Sequence, residues 1–200
     1  MKQKPEILPY FPLSVFLFPG EDMPLRIFEP RYQQLIADAR GSDITFVIPF
    51  VIDQELQEFG CEVALKEVVA ENPGGRMVIT VESLSVVQIL SFSKRLDGKL
   101  YPGGTIMRIS CSGPLESEEL KKLIRNYTEK FDDSFLKGSD SSAISRQDVV
   151  KALNLASDDK YKFVCLPDVS RKEGYLAGQL RYLNMIRQQE LELGNDFGLN

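Results

Sequence analysis

The sequence predicts an α+β protein, with a β-rich region at 1–112 and an α-helical region at 115–200, and three observations carry that reading. Short β-branched segments punctuated by Pro and Gly fill the first half. Apolar residues at helical spacing take over after Gly113-Pro114. A composition of 43% apolar and 26% charged residues is that of an ordinary folded chain of 200 residues.

Taken in order, Leu13 to Phe18 reads as a strand ending at Pro19-Gly20, where proline presets φ and glycine accepts the positive φ of a type II turn. Pro30 occupies a first helical position, and Tyr32, Leu35, Ile36 and Ala39 then recur at helical spacing up to Gly41. Ile44 to Pro49 and Val63 to Val69 read as half-buried strands. Asn72-Pro-Gly-Gly75 is a turn, followed by Met77 to Val81, Ser85 to Leu90, a turn at Asp97-Gly98, and Ile106 to Ser110. Closing such strands into a small barrel removes exposed edges, and the one short helix would plug or flank it.

In the second half, Glu116, Glu118 and Glu119 open a helix whose apolar face is Leu120, Ile124, Tyr127, Phe131 and Phe135, ending at Lys137-Gly138. Ser139 to Ser142 is a loop. Ile144, Ser145, Asp148 and Val149 match a capping box with a hydrophobic staple, starting a helix to about Ala156. Ser170 and Glu173 form a further possible box ahead of a long terminal helix with Leu176, Leu180, Leu183 and Ile186 on one stripe, ending near Gly194.

Composition removes several functions. There is no histidine, so a Ser-His-Asp triad, a Cys-His pair and any His-ligated metal are impossible within this sequence. Cys61, Cys111 and Cys165 are widely spaced and odd in number, which reads as buried free thiols rather than a disulfide or zinc framework. No G-x-x-x-x-G-K-[ST] occurs; Gly74-Gly75 and Gly103-Gly104 lack the lysine that follows in a phosphate loop. Adjacent acids at Glu116, Glu118 and Glu119, and at Asp132 and Asp133, read as solvated helix surface rather than acid-base machinery. No catalytic residue, metal or cofactor is expected. A formal charge of −5, with basic spots confined to Lys121-Lys122 and Lys160 with Lys162, disfavours nucleic acid. The chain lacks a secretory or membrane-spanning apolar run, so a cytoplasmic protein is expected.

Phe11 to Gly20, followed by Pro24-Leu-Arg-Ile-Phe-Glu-Pro-Arg-Tyr32, resembles the opening signature of the Lon N-terminal domain family: an apolar strand, a Pro-Gly turn, a second short strand and a Glu-Pro-Arg-Tyr helix start. Gly60 to Val68 is similar to that family's strand that begins with glycine and carries an alanine four residues later. Val81 to Ile89 departs from the family pattern, with Ser83 and Ser85 where a glycine and an arginine are usual. The resemblance implies a PUA-like pseudobarrel beside a helical bundle and a module that binds polypeptides. The complete proteases of the family carry ATPase and Ser-Lys protease modules that are not recognisable in this sequence. The expectation is a stand-alone, noncatalytic domain binding unfolded or partner polypeptides, with a separate ATPase or protease in trans as a possible partner. An RNA-binding module of PUA-like fold is the alternative.

Within the signature, Phe16, Phe18, Met23 and Phe28 are the peptide-binding candidates, with Phe11 beside them, provided the fold leaves them a groove. Strict alternation sends Val15 and Leu17 to one side and Phe16 and Phe18 to the other. Pro19, Gly20, Arg26, Glu29, Pro30, Arg31 and Tyr32 take structural roles: turn, helix start, and charges that pair with each other or cap backbone.

Overall fold

A computed structural model describes residues 4–42, 44–131 and 144–197, and side chains up to residue 192. The chain divides into two compact units, Met1–Ser110 and Cys111–Asn200. The first holds β1 (Glu6–Pro9), β2 (Asp22–Ile27), α1 (Pro30–Ser42), β3 (Phe46–Ile52), β4 (Glu55–Glu71), β5 (Met77–Ile89) and β6 (Gly103–Ile109). The second holds α2 (Glu118–Phe131), α3 (Arg146–Ala152), α4 (Ser157–Cys165) and α5 (Val169–Phe197). Phe135, the end of the first predicted long helix and the Ser139 to Ser142 loop lie outside the described residues, as do Asp132 and Asp133.

In the first unit the antiparallel order is β1-β6-β5-β4-β3, with β2 also on β5. The residues after β1 then run parallel to β3: Phe11 N–H donates to Val47 O at 2.8 Å, Leu13 N–H to Pro49 O at 3.2 Å, and Val51 N–H to Leu13 O at 3.0 Å. The sheet therefore curls until its two ends are joined through this seam, which leaves few open edges. Consecutive residues of β3 serve opposite faces. Phe46 and Ile48 enter the larger core cluster with Leu25, Ile27, Ile79 and the α1 residues Leu35 and Ile36. Val47 enters a smaller one with Leu8, Tyr10, Val87 and Ile106. Burial on both faces is why β3 reads as an unbroken apolar run.

The turn at Pro19-Gly20 forms as its residues require, with Gly20 at φ 80° and Glu21 N–H donating to Phe18 O at 3.0 Å. Gly60 is needed for a different reason. A Cβ there would lie 2.5 Å from Ile48 O, so only glycine lets β4 approach β3 so closely. In α1 the carbonyl of Glu29 accepts from both Tyr32 N–H and Gln33 N–H at 3.0 Å, Pro30 fills the position whose N–H is dispensable, and the buried face is Tyr32, Leu35, Ile36 and Ala39.

Several predictions for this unit and the next are corrected. Leu13 to Phe18 is not a strand: past the bridge at Leu13 the residues to Phe18 belong to no strand, Leu17 N–H donating to Cys61 Sγ and Phe18 N–H to Glu21 Oε2 instead, and Phe16, Leu17 and Phe18 are all buried in succession, which alternation forbids. Met77 to Val81 and Ser85 to Leu90 are one strand, β5, because β4 pairs across the gap at Ser83 while β2 and β6 take successive halves of its other edge. The helix opened by Ser145 ends at Ala152 rather than near Ala156, since Asn154 turns left-handed at φ 47°, and a separate α4 follows. Its first turn carries Asp158 and Asp159, but its N-cap, Ala156, offers no side-chain acceptor.

In the second unit, α5 packs against α2, α3 and α4. Ser145 and Asp148 form the expected capping box, with Ile144 and Val149 both buried. Glu173 does not cap its own helix. Asp168 does so, accepting Arg171 N–H at 2.8 Å. The Glu173 carboxylate instead accepts the backbone N–H groups of Glu116 at 2.9 Å and Ser117 at 2.5 Å, at the start of α2, and pairs with Arg146 at 3.2 Å. The apolar stripe of α5 is buried at Leu176 and Leu180 and only half-buried at Leu183 and Ile186.

Candidate functional site

Two of the depressions on the surface of the first unit, of about 560 Å³ and about 980 Å³, share Arg26 and Phe28. Alternation along β2 creates this feature. Leu25 and Ile27 go into the core, so Asp22, Pro24 and Arg26 face outward, and Phe28 keeps the same parity just beyond the strand, 64% exposed. Such exposure is unusual for phenylalanine and concentrates apolar surface at the junction of the two hollows.

The smaller hollow lies between β2 and the tip of the β4–β5 hairpin, with Ile27, Ala70, Met77 and Val78 as its apolar lining. Asn72 fixes the tip: its side-chain oxygen accepts from Gly74 N–H at 3.1 Å and Arg76 N–H at 3.0 Å, an Asx-type closure that sets Arg76 at the rim. The larger hollow is lined by the closing seam at Phe11 and Leu13, by the start of α1, and by Phe92, Lys94, Arg95 and Leu100 of the β5–β6 connection. That connection is tied to α1. Lys99 Nζ and the Tyr101 hydroxyl both donate to Asp38 Oδ2, at 2.8 and 2.7 Å, and Leu100 N–H donates to Gln34 Oε1 at 2.7 Å. The hydrogen bonds from Lys99 and Tyr101 hold the Asp38 carboxyl below its usual pKa, so the anchor is charged at neutral pH.

The charges around the hollows are unequally compensated. Arg31 pairs with Glu29 at 2.7 Å and lies over the Tyr32 ring, 4.7 Å from its centroid. Glu71, the other lining acid, pairs with Arg40 at 3.1 Å. Arg26, Arg76, Lys94 and Arg95 are exposed, and among the described residues their side chains have no ion pair or hydrogen bond. The lining therefore presents apolar surface with four uncommitted cations, in a chain whose formal charge is −5.

Of the residues singled out from sequence, the structure brings Phe28, Arg26, Glu29, Pro30, Arg31, Tyr32 and Phe11 to the larger hollow. Phe16 and Phe18 are corrected. Both are fully buried, Phe16 in ring contact with Phe18 and Phe50, and withdrawing such a side chain to meet a ligand would cost about 1.5–3 kcal/mol each. Met23 is half-buried against the core and lines neither hollow. The Arg76 and Lys94-Arg95 contributions were missed. Phe92-Ser-Lys-Arg95, an aromatic two residues before a basic pair and just ahead of the Asp97-Gly98 turn, is the signal that marks the latter.

The basic and acidic spots flagged from sequence are largely spoken for. Lys121 pairs with Glu118 at 2.7 Å, Lys162 with Asp159 at 3.3 Å, and Lys160 is buried. Glu119 pairs with Arg181, and Glu116 lies 3.7 Å from Arg146. Cys61 and Cys111 are buried as expected, the Cys111 thiol pushed up to about 11 by burial, whereas Cys165 is exposed. Gly103-Gly104 are paired residues of β6 rather than part of a phosphate loop. Among the described residues no group of three or more Cys, Asp or Glu side chains could hold a metal ion, and no helix is long and apolar enough to cross a membrane.

Fold and surface together define an α+β protein with a curled antiparallel half-barrel followed by a helical unit with a long last helix. The chain belongs to the Lon substrate-binding domain family: the family model described as the ATP-dependent protease La (LON) substrate-binding domain matches residues 7–166. The residues outside that match are too few to hold an ATPase or a protease module. Among solved structures, the chain is similar to a Lon N-terminal domain protein from Xanthomonas campestris, at TM-score 0.62 and 19% identity over 86% of this chain and 98% of that one. It is also similar to the N-terminal domain of a Mycobacterium avium complex Lon protease, at TM-score 0.61 and 12% identity over 88% and 98%. At such identities these two likenesses speak for the fold alone. Comparison with curated proteins finds no match.

Proposed function

We propose that this domain is a noncatalytic recognition module that binds exposed apolar segments of unfolded or partner polypeptides in the groove around Phe28. The observation that carries this reading is Phe28 itself, 64% exposed between two hollows whose linings are built from backbone-fixed turns and a pinned connection. Family membership supports a substrate-recognition role. A groove with an aromatic at its centre and adaptable rims suits sequence-tolerant binding of polypeptide. The absence of histidine and the pairing of Glu29 and Glu71 with arginines argue against acid-base chemistry in this groove. Any unfolding or cleavage of what is bound then falls to an ATPase or protease outside these 200 residues.

Photocrosslinking tests it. With Phe28 replaced by photoreactive benzoyl-phenylalanine, irradiation in the presence of reduced, carboxymethylated α-lactalbumin is expected to give a covalent adduct that an apolar peptide competes away. The same group at Leu84, also exposed and apolar but lining neither hollow, should give little. Equal labelling from the two positions, or none from residue 28, contradicts the assignment.

A further inference from the structure

The charge pattern of the groove goes further than an apolar surface requires. Every acid that lines the hollows is neutralised by an arginine, Glu29 by Arg31 and Glu71 by Arg40. Arg26, Arg76, Lys94 and Arg95 are left over, with no acid of the described residues bonded to them. Elsewhere on the same unit Lys66 is committed to Asp22 at 2.7 Å, Lys99 to Asp38 at 2.8 Å and Arg108 to Glu6 at 2.6 Å. In a chain with 29 acids and 24 bases, four exposed cations on one lining, with no acid of the described residues bonded to them, are a concentration of positive charge.

Their placement is also distributed. Arg76 belongs to the smaller hollow, Lys94 and Arg95 to the larger, and Arg26 to both, so positive charge flanks Phe28 on either side. We infer that the groove selects a particular class of polypeptide: an apolar or aromatic anchor with Asp or Glu within a few residues on both sides. This rests on the reading of the groove as a polypeptide site and adds its charge preference. The anchor would meet Phe28 and the apolar linings, while the flanking carboxylates replace the partners that the four cations lack. Charge complementarity of this kind, on exposed groups, sets partner choice and encounter rate more than ultimate affinity.

A nucleic acid is the less favoured occupant. Tyr32 is buried and already sandwiched by Phe11 at 4.1 Å and Arg31 at 4.7 Å, and Phe92 stacks on Tyr10, so the hollow offers Phe28 rather than a row of free rings.

Fluorescence anisotropy on the full chain decides the matter, using three probes: a labelled peptide with a Phe-Leu-Phe centre and Asp/Glu flanks, the same centre with Lys flanks, and labelled oligouridylate. The acidic peptide is expected to bind about five- to tenfold tighter at about 0.05 M salt, and that margin is expected to shrink toward unity at about 0.5 M. Arg76→Glu combined with Lys94→Glu should reverse the order of the two peptides, whereas Lys122→Glu, the same kind of change on an exposed residue of the second unit, should leave it as it was. Equal affinity for both peptides, or preference for lysine flanks, overturns the charge inference while leaving apolar binding intact. Binding of neither peptide removes the underlying reading as well. Tighter binding of oligouridylate, with displacement of the acidic peptide, overturns it in favour of nucleic acid.

Discussion

Two regions of the first unit handle charge in opposite ways. On the inner strands β4, β5 and β6, Glu62 is buried yet fully answered: Thr45 and Ser85 hydroxyls each donate to it at 2.8 Å, and Arg108 donates through two nitrogens at 2.6 Å while also reaching Glu6. Around Phe28 the cations of Arg26, Arg76, Lys94 and Arg95 are exposed and, among the described residues, unanswered. A buried carboxylate without partners would be prohibitive, so the first arrangement is what folding demands. Exposed arginines and lysines without partners cost folding almost nothing, so the second is free to serve binding. The contrast separates side chains that build the fold from those available to something outside it. Glu173 in the second unit belongs with Glu62: it is buried and satisfied by two backbone N–H groups and Arg146.

The sharpest way to break the comparison is to remove a structural carboxylate. Glu173→Ala strands Arg146, itself mostly buried, and uncaps the start of α2, and should cost about 3–5 kcal/mol in urea unfolding, with faster amide exchange at Ser117. A loss below about 1 kcal/mol would mean that buried charge in this protein is not the structural class described.

Glu62 is open to a subtler test through pH. Burial raises its pKa, but the hydrogen bonds from Arg108, Ser85 and Thr45 outweigh burial and leave it lowered. A carboxylate depressed on folding adds stability that is present above its unfolded pKa, about 4.3, and is lost as pH falls through the lower folded value. Stability should therefore drop on acidification below about pH 4.5, and Glu62→Gln should flatten that part of the curve while lowering the neutral-pH plateau. Parallel curves for the two proteins would show that Glu62 is not the linked group.

How much of this was legible in the sequence follows the range of the interactions. The face of α1 could be read directly, because Tyr32, Leu35, Ile36 and Ala39 declare it by local spacing, and so could the Ser145–Asp148 box, whose partners are three residues apart. The continuity of β5 could not, since Ser83 breaks the β-branched pattern and only its pairing to Val63 and its backbone bonds to Gly20 and Glu21 carry the strand through. Glu173 misled for the same reason. Its spacing from Ser170 fits a local box, but its partners are the distant Glu116 and Ser117. The groove was half legible. Phe28 and Arg26 stood in the recognised signature, whereas Lys94 and Arg95 join them only because their connection is tied through Lys99, Leu100 and Tyr101 to Asp38 and Gln34, more than sixty positions away. Phe16 and Phe18 failed as candidates because pattern alone could not say that both would be enclosed.

The central claim is that Phe28 serves binding and not folding, and Phe28→Ala tests it in one pair of measurements. Being 64% exposed, Phe28 should give up no more than about 0.5 kcal/mol of stability on truncation, leaving the urea midpoint nearly unchanged. The anisotropy-measured affinity for a labelled Phe-Leu-Phe peptide should fall about tenfold or more, as expected when an aromatic anchor is removed from the centre of a binding surface. Affinity that survives the substitution, with the fold intact, would contradict the account.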